Sequence, residues 1–227
     1  YPPDPASSKI SSIGGNVATN AGGPRSVKYG VTGDYVVGLD GWFGNGEFFS
    51  FGGKLKKNVA GYDLMRLLIG SEGTLAILSK IYLKVIPLPS CRKLFLLGFS
   101  SFHQAMDFFQ TIRNQQINVS MLEFFDSICF ESVSDQLSLD LPVANAYLLL
   151  ELDGLENEVK RHFDTIQQCV RAFNEQDCFF PKSSDEEDQL IELRRRISPS
   201  LTDFGQKKRS HDVAVPPSSI PHFMNDL

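Results

Sequence analysis

Residues 13–23 read Ile13-Gly14-Gly15-Asn16-Val17-Ala18-Thr19-Asn20-Ala21-Gly22-Gly23, two glycine pairs with two asparagines between them. Glycine lacks a Cβ and reaches positive φ without strain, so the run predicts a loop that presses backbone amides against a flat ring or a phosphate. Asn16 and Asn20 add side-chain donors and acceptors able to read carbonyls and ring nitrogens. One Gly-Gly pair alone would be read as a hairpin turn. Two pairs with amides between them favour a ligand platform. No Gly-x-Gly-x-x-Gly lies between a strand and a helix, and no P-loop is present, so the platform is not a dinucleotide fingerprint.

A second group, Gly70-Ser71-Glu72-Gly73-Thr74, follows a short helix expected over 62–69 and precedes a strand-like run over 75–86. Gly70 suits a helix C-terminus. Glu72 offers a carboxylate to a ribose hydroxyl, or else occupies a solvent-exposed turn; both readings stand on the residues alone.

The third chemical feature is Arg194. Residues 182–196 begin with Asp185, Glu186, Glu187 and Asp188 and end with Arg194, Arg195 and Arg196. A helix dipole favours that order, which by itself describes a solvated, well-capped helix. At about 100° per residue, Leu190, Leu193 and Ile197 form its apolar face. Arg194 lies at the edge of that face with Ser198 one turn beyond, while Arg195 and Arg196 point away. An arginine beside a buried stripe needs an anion, and an internal carboxylate or a substrate carboxylate meets that need equally well.

These groups need elements to position them. The segment before residue 74 is glycine-rich, and only three of the 18 glycines come after it. Pro87 and Pro89 close the run over 75–86, which separates residues 1–89 from the rest. Beyond them, strands are expected over 94–99, 119–125, 146–152 and 178–180, and helices over 102–112 and 156–173. Ser101 caps the first helix, with Gln104 completing a capping box and Phe102, Ala105, Met106, Phe109 and Ile112 on one face. Val159, Phe163, Ile166 and Val170 stripe the second. Alternating strands and helices predict an α+β fold with helices on one face of a mixed sheet.

The composition, 42% hydrophobic and 22% charged, is that of a folded globular protein. A net charge of -5 gives no support to nucleic-acid binding. Cys91, Cys129, Cys169 and Cys178 show no metal-ligand spacing and read as buried or half-buried thiols of a reducing compartment. No signal peptide and no apolar run long enough for a transmembrane segment is read.

The stretches Pro2-Pro3-Asp4-Pro5, 13–23, Lys28-Tyr29-Gly30-Val31, Lys57-Asn58-Val59-Ala60-Gly61-Tyr62-Asp63-Leu64 and Gly70-Ser71-Glu72-Gly73-Thr74-Leu75 resemble FAD-linked oxidases of the vanillyl-alcohol oxidase superfamily. The branch is that of glycolate oxidase, D-lactate dehydrogenase and D-2-hydroxyglutarate dehydrogenase. The resemblance implies the second half of a PCMH-type FAD-binding domain over 1–89, then the first part of a ferredoxin-like α/β cap domain over 90–227. It implies FAD as cofactor, lined by Pro3, Gly14, Gly15, Asn16, Thr19, Asn20, Gly22 and Gly23. Glu72, Gly73 and Ile77 would approach the adenosine and pyrophosphate. At Ala76 the family usually carries glycine, and the extra methyl is expected to crowd the cofactor.

Leu193-Arg194-Arg195-Arg196-Ile197-Ser198-Pro199 resembles the cap segment whose first arginine holds a 2-hydroxy-acid carboxylate, and Asp212-Val213-Ala214-Val215-Pro216 resembles the family's next cap segment. Arg194 and Ser198 are therefore the implied catalytic-site residues. The family's pyrophosphate loop is expected upstream of this chain and its histidine-rich metal motif downstream, so no metal site is assigned. His103, His162, His211 and His222 match no such motif. The implied activity is oxidation of a small D-2-hydroxy acid by hydride transfer to flavin. The alternative is a non-catalytic or degenerate subunit kept for assembly. Implied partners are the acid, an electron-acceptor subunit or quinone, and a homo- or hetero-oligomer. The implied location is cytoplasmic, with membrane association through partner subunits.

Overall fold

A computed structural model describes residues 1–173, 177–202, 209 and 211–225. The chain divides into two compact units, Tyr1–Leu88 and Pro89–Leu227.

In the first unit the glycine run is not a loop at its start. Ile13–Ala18 forms a six-residue helix, α1, because the Ser12 hydroxyl accepts from the Gly15 amide and caps it. Gly14, Gly15, Gly22 and Gly23 all avoid positive φ; the left-handed residue is Asn20, at φ 48°. The expectation that the paired glycines serve positive φ is thus corrected. Their use is size. After α2, Ser26–Tyr29, come β1, Val36–Phe43, and β2, Phe48–Gly52, then α3, Met65–Leu68, and β3, Ala76–Leu83. The helix expected over 62–69 shrinks to α3, and Tyr62 is exposed. The sheet runs β2-β1-β3, antiparallel throughout. One face carries Leu39, Phe49 and Ala76, with Val17 of α1 and Leu68 of α3 in the same core.

The second unit contains β4, Cys91–Phe99; α4, Phe102–Asn114; β5, Met121–Asp126; α5, Ser127–Ser134; β6, Ala146–Gly154; α6, Glu156–Ala172; β7, Cys178–Phe179; and α7, Ser184–Ser200. A short α8, Ile220–Asn225, comes last. The sheet order is β5-β6-β4-β7 and each pairing is antiparallel, the βαββαβ arrangement of a ferredoxin-like fold. The sheet is therefore not mixed.

Nor are the helices confined to one face. Phe95, Leu97, Leu148 and Leu150 pack with α4 and α6, through Phe108, Ile112, Val159 and Ile166. Leu94, Leu96, Tyr147 and Leu149 point the other way, to Phe130 and Val133 of α5 and Leu190 and Leu193 of α7. A strand covered on both sides has no polar face, which is why 94–99 reads as an unbroken apolar run. In α4, Ala105, Met106 and Ile112 are buried as expected, Phe109 packs at the edge of the same core, and the fully buried Phe108 widens the stripe. Ser101 caps this helix at the Gln104 amide, but the Gln104 carbonyl returns to Ser100.

Tyr147 is fully buried, stacked on Phe130 at 4.2 Å. Its hydroxyl donates to the Pro142 carbonyl at 3.0 Å and accepts from the Ala144 amide at 2.7 Å. Burial pushes this phenol above the ordinary value of 10.0, with the Ala144 amide pulling the other way. A raised phenol contributes stability fully present below the unfolded value and lost as pH rises through the folded one. Urea unfolding of the native protein should therefore lose midpoint from about pH 10 upward, and Tyr147→Phe should flatten that loss while lowering the neutral-pH midpoint. A slope identical in both proteins would contradict this assignment.

Cys91, Cys129 and Cys178 are half-buried, and Cys169 is buried. Burial pushes the Cys169 thiol above its ordinary value. Among the described residues no helix is long and apolar enough to cross a membrane.

Candidate functional site

Three stretches far apart in sequence meet in the first unit. The carbonyls of Val17 and Ala18, at the end of α1, accept from the amides of Gly70 at 3.0 Å and Glu72 at 2.8 Å. The Gly70–Thr74 turn is thereby fixed beside the glycine run. On its other side, a Cβ on Gly23 would collide with the carbonyl oxygens of Pro3 and Asp4. Pro3 is buried there, and Asp4, at φ 41°, pairs with Arg25 at 3.8 Å. The Pro-Pro-Asp-Pro motif, the glycine run and the Glu72 turn form one structure.

Within it the candidate residues have different duties. Gly22 and Gly23 permit close approach: a Cβ on Gly22 would sit 3.0 Å from the Ser26 hydroxyl. Asn20 accepts from the Gly33 amide at 2.8 Å, and Thr19 donates to the Gly15 carbonyl at 3.0 Å, so both oxygens help hold the turn. Asn16 is buried and is bonded through its backbone to Ser12 and Ala21. Gly14, Gly15 and Gly73 face outward. A Cβ on Gly14 would meet only the Ser12 hydroxyl, at 3.9 Å, and one on Gly73 would meet nothing within 4 Å.

A cradle of bare backbone next to open space fits a flat or phosphorylated ligand. Glu72 is exposed at φ 52°, a conformation that costs a non-glycine residue roughly 1–3 kcal/mol. The hydrogen bond its amide donates to the Ala18 carbonyl holds it there.

Ile77, at the start of β3, is 73% exposed. It pairs across the sheet with Trp42, which pairs with Phe48, and Trp42 and Phe48 lie edge to face at 5.4 Å. Ala76 points instead into the core and is 9% exposed. Its methyl packs against neighbouring side chains, which corrects the expectation that it crowds a cofactor.

In the second unit, Arg194 sits on the sheet-facing side of α7. Its Nε donates to Glu123 Oε2 at 3.3 Å and its Nη2 to Glu123 Oε1 at 3.4 Å, a two-point pair across β5 and α7. The two side chains are 23% and 27% exposed. Glu123 went unremarked in the sequence, although a lone charge in the apolar stretch 119–125 marks it. Ser198 lies one turn beyond Arg194, exposed.

Arg195 is exposed as expected, but Arg196 does not point away. It bonds Glu192 at 3.0 Å and Gln136 at 3.3 Å. The acidic start of α7 is likewise only partly solvated, since Arg92 of β4 reaches Glu187 at 3.4 Å and Asp188 at 3.3 Å. These ties clamp α7 to the sheet.

Residues 88–227 match the family described as FAD linked oxidases, C-terminal domain. The chain belongs to the FAD-linked oxidases. Residues 1–52 match an FAD binding domain, and FAD is the cofactor.

This FAD-linked oxidase is 38% identical to glycolate oxidase subunit GlcD of Bacillus subtilis over 100% of the chain and 48% of that protein. It is 34% identical to the D-2-hydroxyglutarate dehydrogenase of Xanthomonas citri over 99% of the chain and 48% of that protein. To the D-lactate dehydrogenase of Anaerostipes hadrus it is 35% identical over 74% of the chain and 36% of that protein. The chain thus spans about half the length of the curated relatives it matches, or less.

Among solved structures, alkyldihydroxyacetonephosphate synthase superposes with TM-score 0.66 at 23% identity, covering 88% of this chain and 39% of that one. The 4-ethylphenol oxidase of Gulosibacter chungangensis superposes with TM-score 0.59 at 12% identity, covering 85% and 45%. Both support the α+β fold.

Proposed function

We propose that the chain is part of an FAD-dependent enzyme that oxidises a small D-2-hydroxy acid of the glycolate or D-lactate type to the 2-oxo acid. Residues 1–89 form the C-terminal portion of its FAD-binding domain and 90–227 the N-terminal portion of its cap. Backbone at Gly14, Gly15, Gly22, Gly23 and Gly73 holds FAD, with Pro3, Asn16, Thr19 and Asn20 shaping the cradle and Glu72 and Ile77 on the adenosine side. When bound, FAD supplies the acceptor for the hydride that leaves the substrate C2 carbon. Arg194 binds and orients the acid through its carboxylate, with the Ser198 hydroxyl one turn away. No residue of this chain is assigned as the base that takes the hydroxyl proton.

The observation that carries this reading is the half-buried Arg194 guanidinium in a chain whose relatives are named for 2-hydroxy acids. The electron acceptor is a partner subunit or a quinone, within a cytoplasmic homo- or hetero-oligomer that attaches to membranes through partner subunits. One observation favours the rival reading, a subunit kept for assembly alone: Arg194 already has an internal carboxylate partner in Glu123.

Anaerobic addition of glycolate, D-lactate or D-2-hydroxyglutarate to the FAD-loaded protein separates the two. At least one acid should bleach the visible flavin band. A flavin band untouched by all three rejects the dehydrogenase reading and leaves the assembly role.

A further inference from the structure

Arginine offers two separate forked edges to a carboxylate: side-on through Nε and one Nη, and end-on through both Nη atoms. In α7, Glu123 takes the side-on edge of Arg194, through Nε at 3.3 Å and Nη2 at 3.4 Å. Among the described residues, that leaves the end-on edge, Nη1 with the second hydrogen of Nη2, for another anion. The rest of the surroundings hold Arg194 in place. Leu190 and Leu193, on the same face of α7, are fully buried. Gln189 bonds Ser138 at 3.0 Å and Arg196 bonds Gln136 at 3.3 Å, tying the helix down on either side.

Resting on the reading of Arg194 as the substrate anchor, we infer that Glu123 is a positioning residue. It holds the side-on edge so that the end-on edge is presented to the carboxylate of the 2-hydroxy acid. The opposite arrangement is a placeholder, in which the substrate displaces Glu123 and takes over its edge. A fixed guanidinium loses less rotamer freedom on binding, so the positioning arrangement strengthens substrate binding and the placeholder weakens it. The two predict opposite signs.

The native protein, labelled with 15N at arginine, distinguishes them by NMR. On titration with D-lactate, glycolate or D-2-hydroxyglutarate, the Arg194 Nη resonances should move while its Nε–Hε resonance stays where Glu123 holds it. A large Nε shift would overturn the proposal in favour of displacement. No shift of any Arg194 signal with all three acids would remove the anchor reading itself, and the proposal with it.

In the FAD-loaded enzyme, Glu123→Gln should raise KM for the preferred acid roughly tenfold and change kcat much less. In an Arg194→Lys background the same substitution should add nothing further, because Glu123 acts only through the guanidinium. A lowered KM in Glu123→Gln, or additive effects in the double variant, would overturn it.

Discussion

Replacing Gly23 by alanine is expected to destabilise the first unit by about 3 kcal/mol and to abolish its FAD binding. The β-carbon would have to occupy the space of two backbone carbonyl oxygens, those of Pro3 and Asp4. Neither can swing aside as a flexible side chain could. Pro3 has a fixed φ and is buried, while Asp4 is held by its pair with Arg25. Relief therefore requires the N-terminal segment to lift from the glycine run, undoing one side of the cradle.

The contrast with Gly14 is what gives this prediction its meaning. Alanine at Gly14 would project into open space, its nearest neighbour the Ser12 hydroxyl at 3.9 Å. Gly14→Ala should unfold at the urea concentration of the native protein, or slightly above it, since alanine favours a helix by about 1 kcal/mol over glycine. It should nonetheless bind FAD more weakly. Chemical unfolding followed by FAD titration of the two variants checks the pair. Equal loss of stability in both would contradict the division of labour drawn here.

The second large effect is expected at Arg194. Arg194→Ala removes a charge-assisted, two-point contact, a change of about 3 kcal/mol, or roughly 100-fold in kcat/KM for the preferred acid. Glu123, only 27% exposed with its partner in place, would then stand as an uncompensated carboxylate and repel the incoming acid. Arg194→Lys separates the contributions, because it keeps the charge and loses the fork. It should recover part of the binding and little of the orientation. Arg195→Ala, on the exposed side of the same helix, should leave kcat/KM within about twofold. Steady-state reduction of flavin by the acid measures all three. Equal effects of Arg194→Lys and Arg195→Lys would reject the assigned role.

How much of this could be read from the residues depended on where each interaction closes. The strands β4 and β6 and the helix α6 were legible because a continuous apolar run and a four-point stripe are local signals. Which residues share a core was not local: the unbroken run 94–99 hides two sets of side chains, bound for different helices. β1 is hard to read because Gly38 and Gly41 interrupt its apolar residues, and register shifts at 36–38 and 40–41 break the period of two. α1 is hard to read because two glycines argue against a helix, and its Ser12 cap and the burial of Val17 outweigh them.

In the site, the residue types of the cradle were visible, but their roles were partly inverted. The inner pair Gly22 and Gly23 serves packing, and the outer Gly14, Gly15 and Gly73 leave the open space. The phase of α7 placed Arg194 correctly at the edge of a buried face. Its partner lies 71 residues away on β5, and no helical period reaches that far.

The most direct test of the account is whether the cradle of the first unit receives FAD. The chain contains one tryptophan, Trp42, which lies on β1 of that unit. On titration of the folded protein with FAD, Trp42 emission should fall to a plateau at one equivalent, with the visible flavin bands shifted from those of free FAD. The Gly14→Ala protein should need more FAD to reach the same plateau. Undiminished Trp42 emission, with a flavin spectrum identical to free FAD at every ratio, would contradict the central claim.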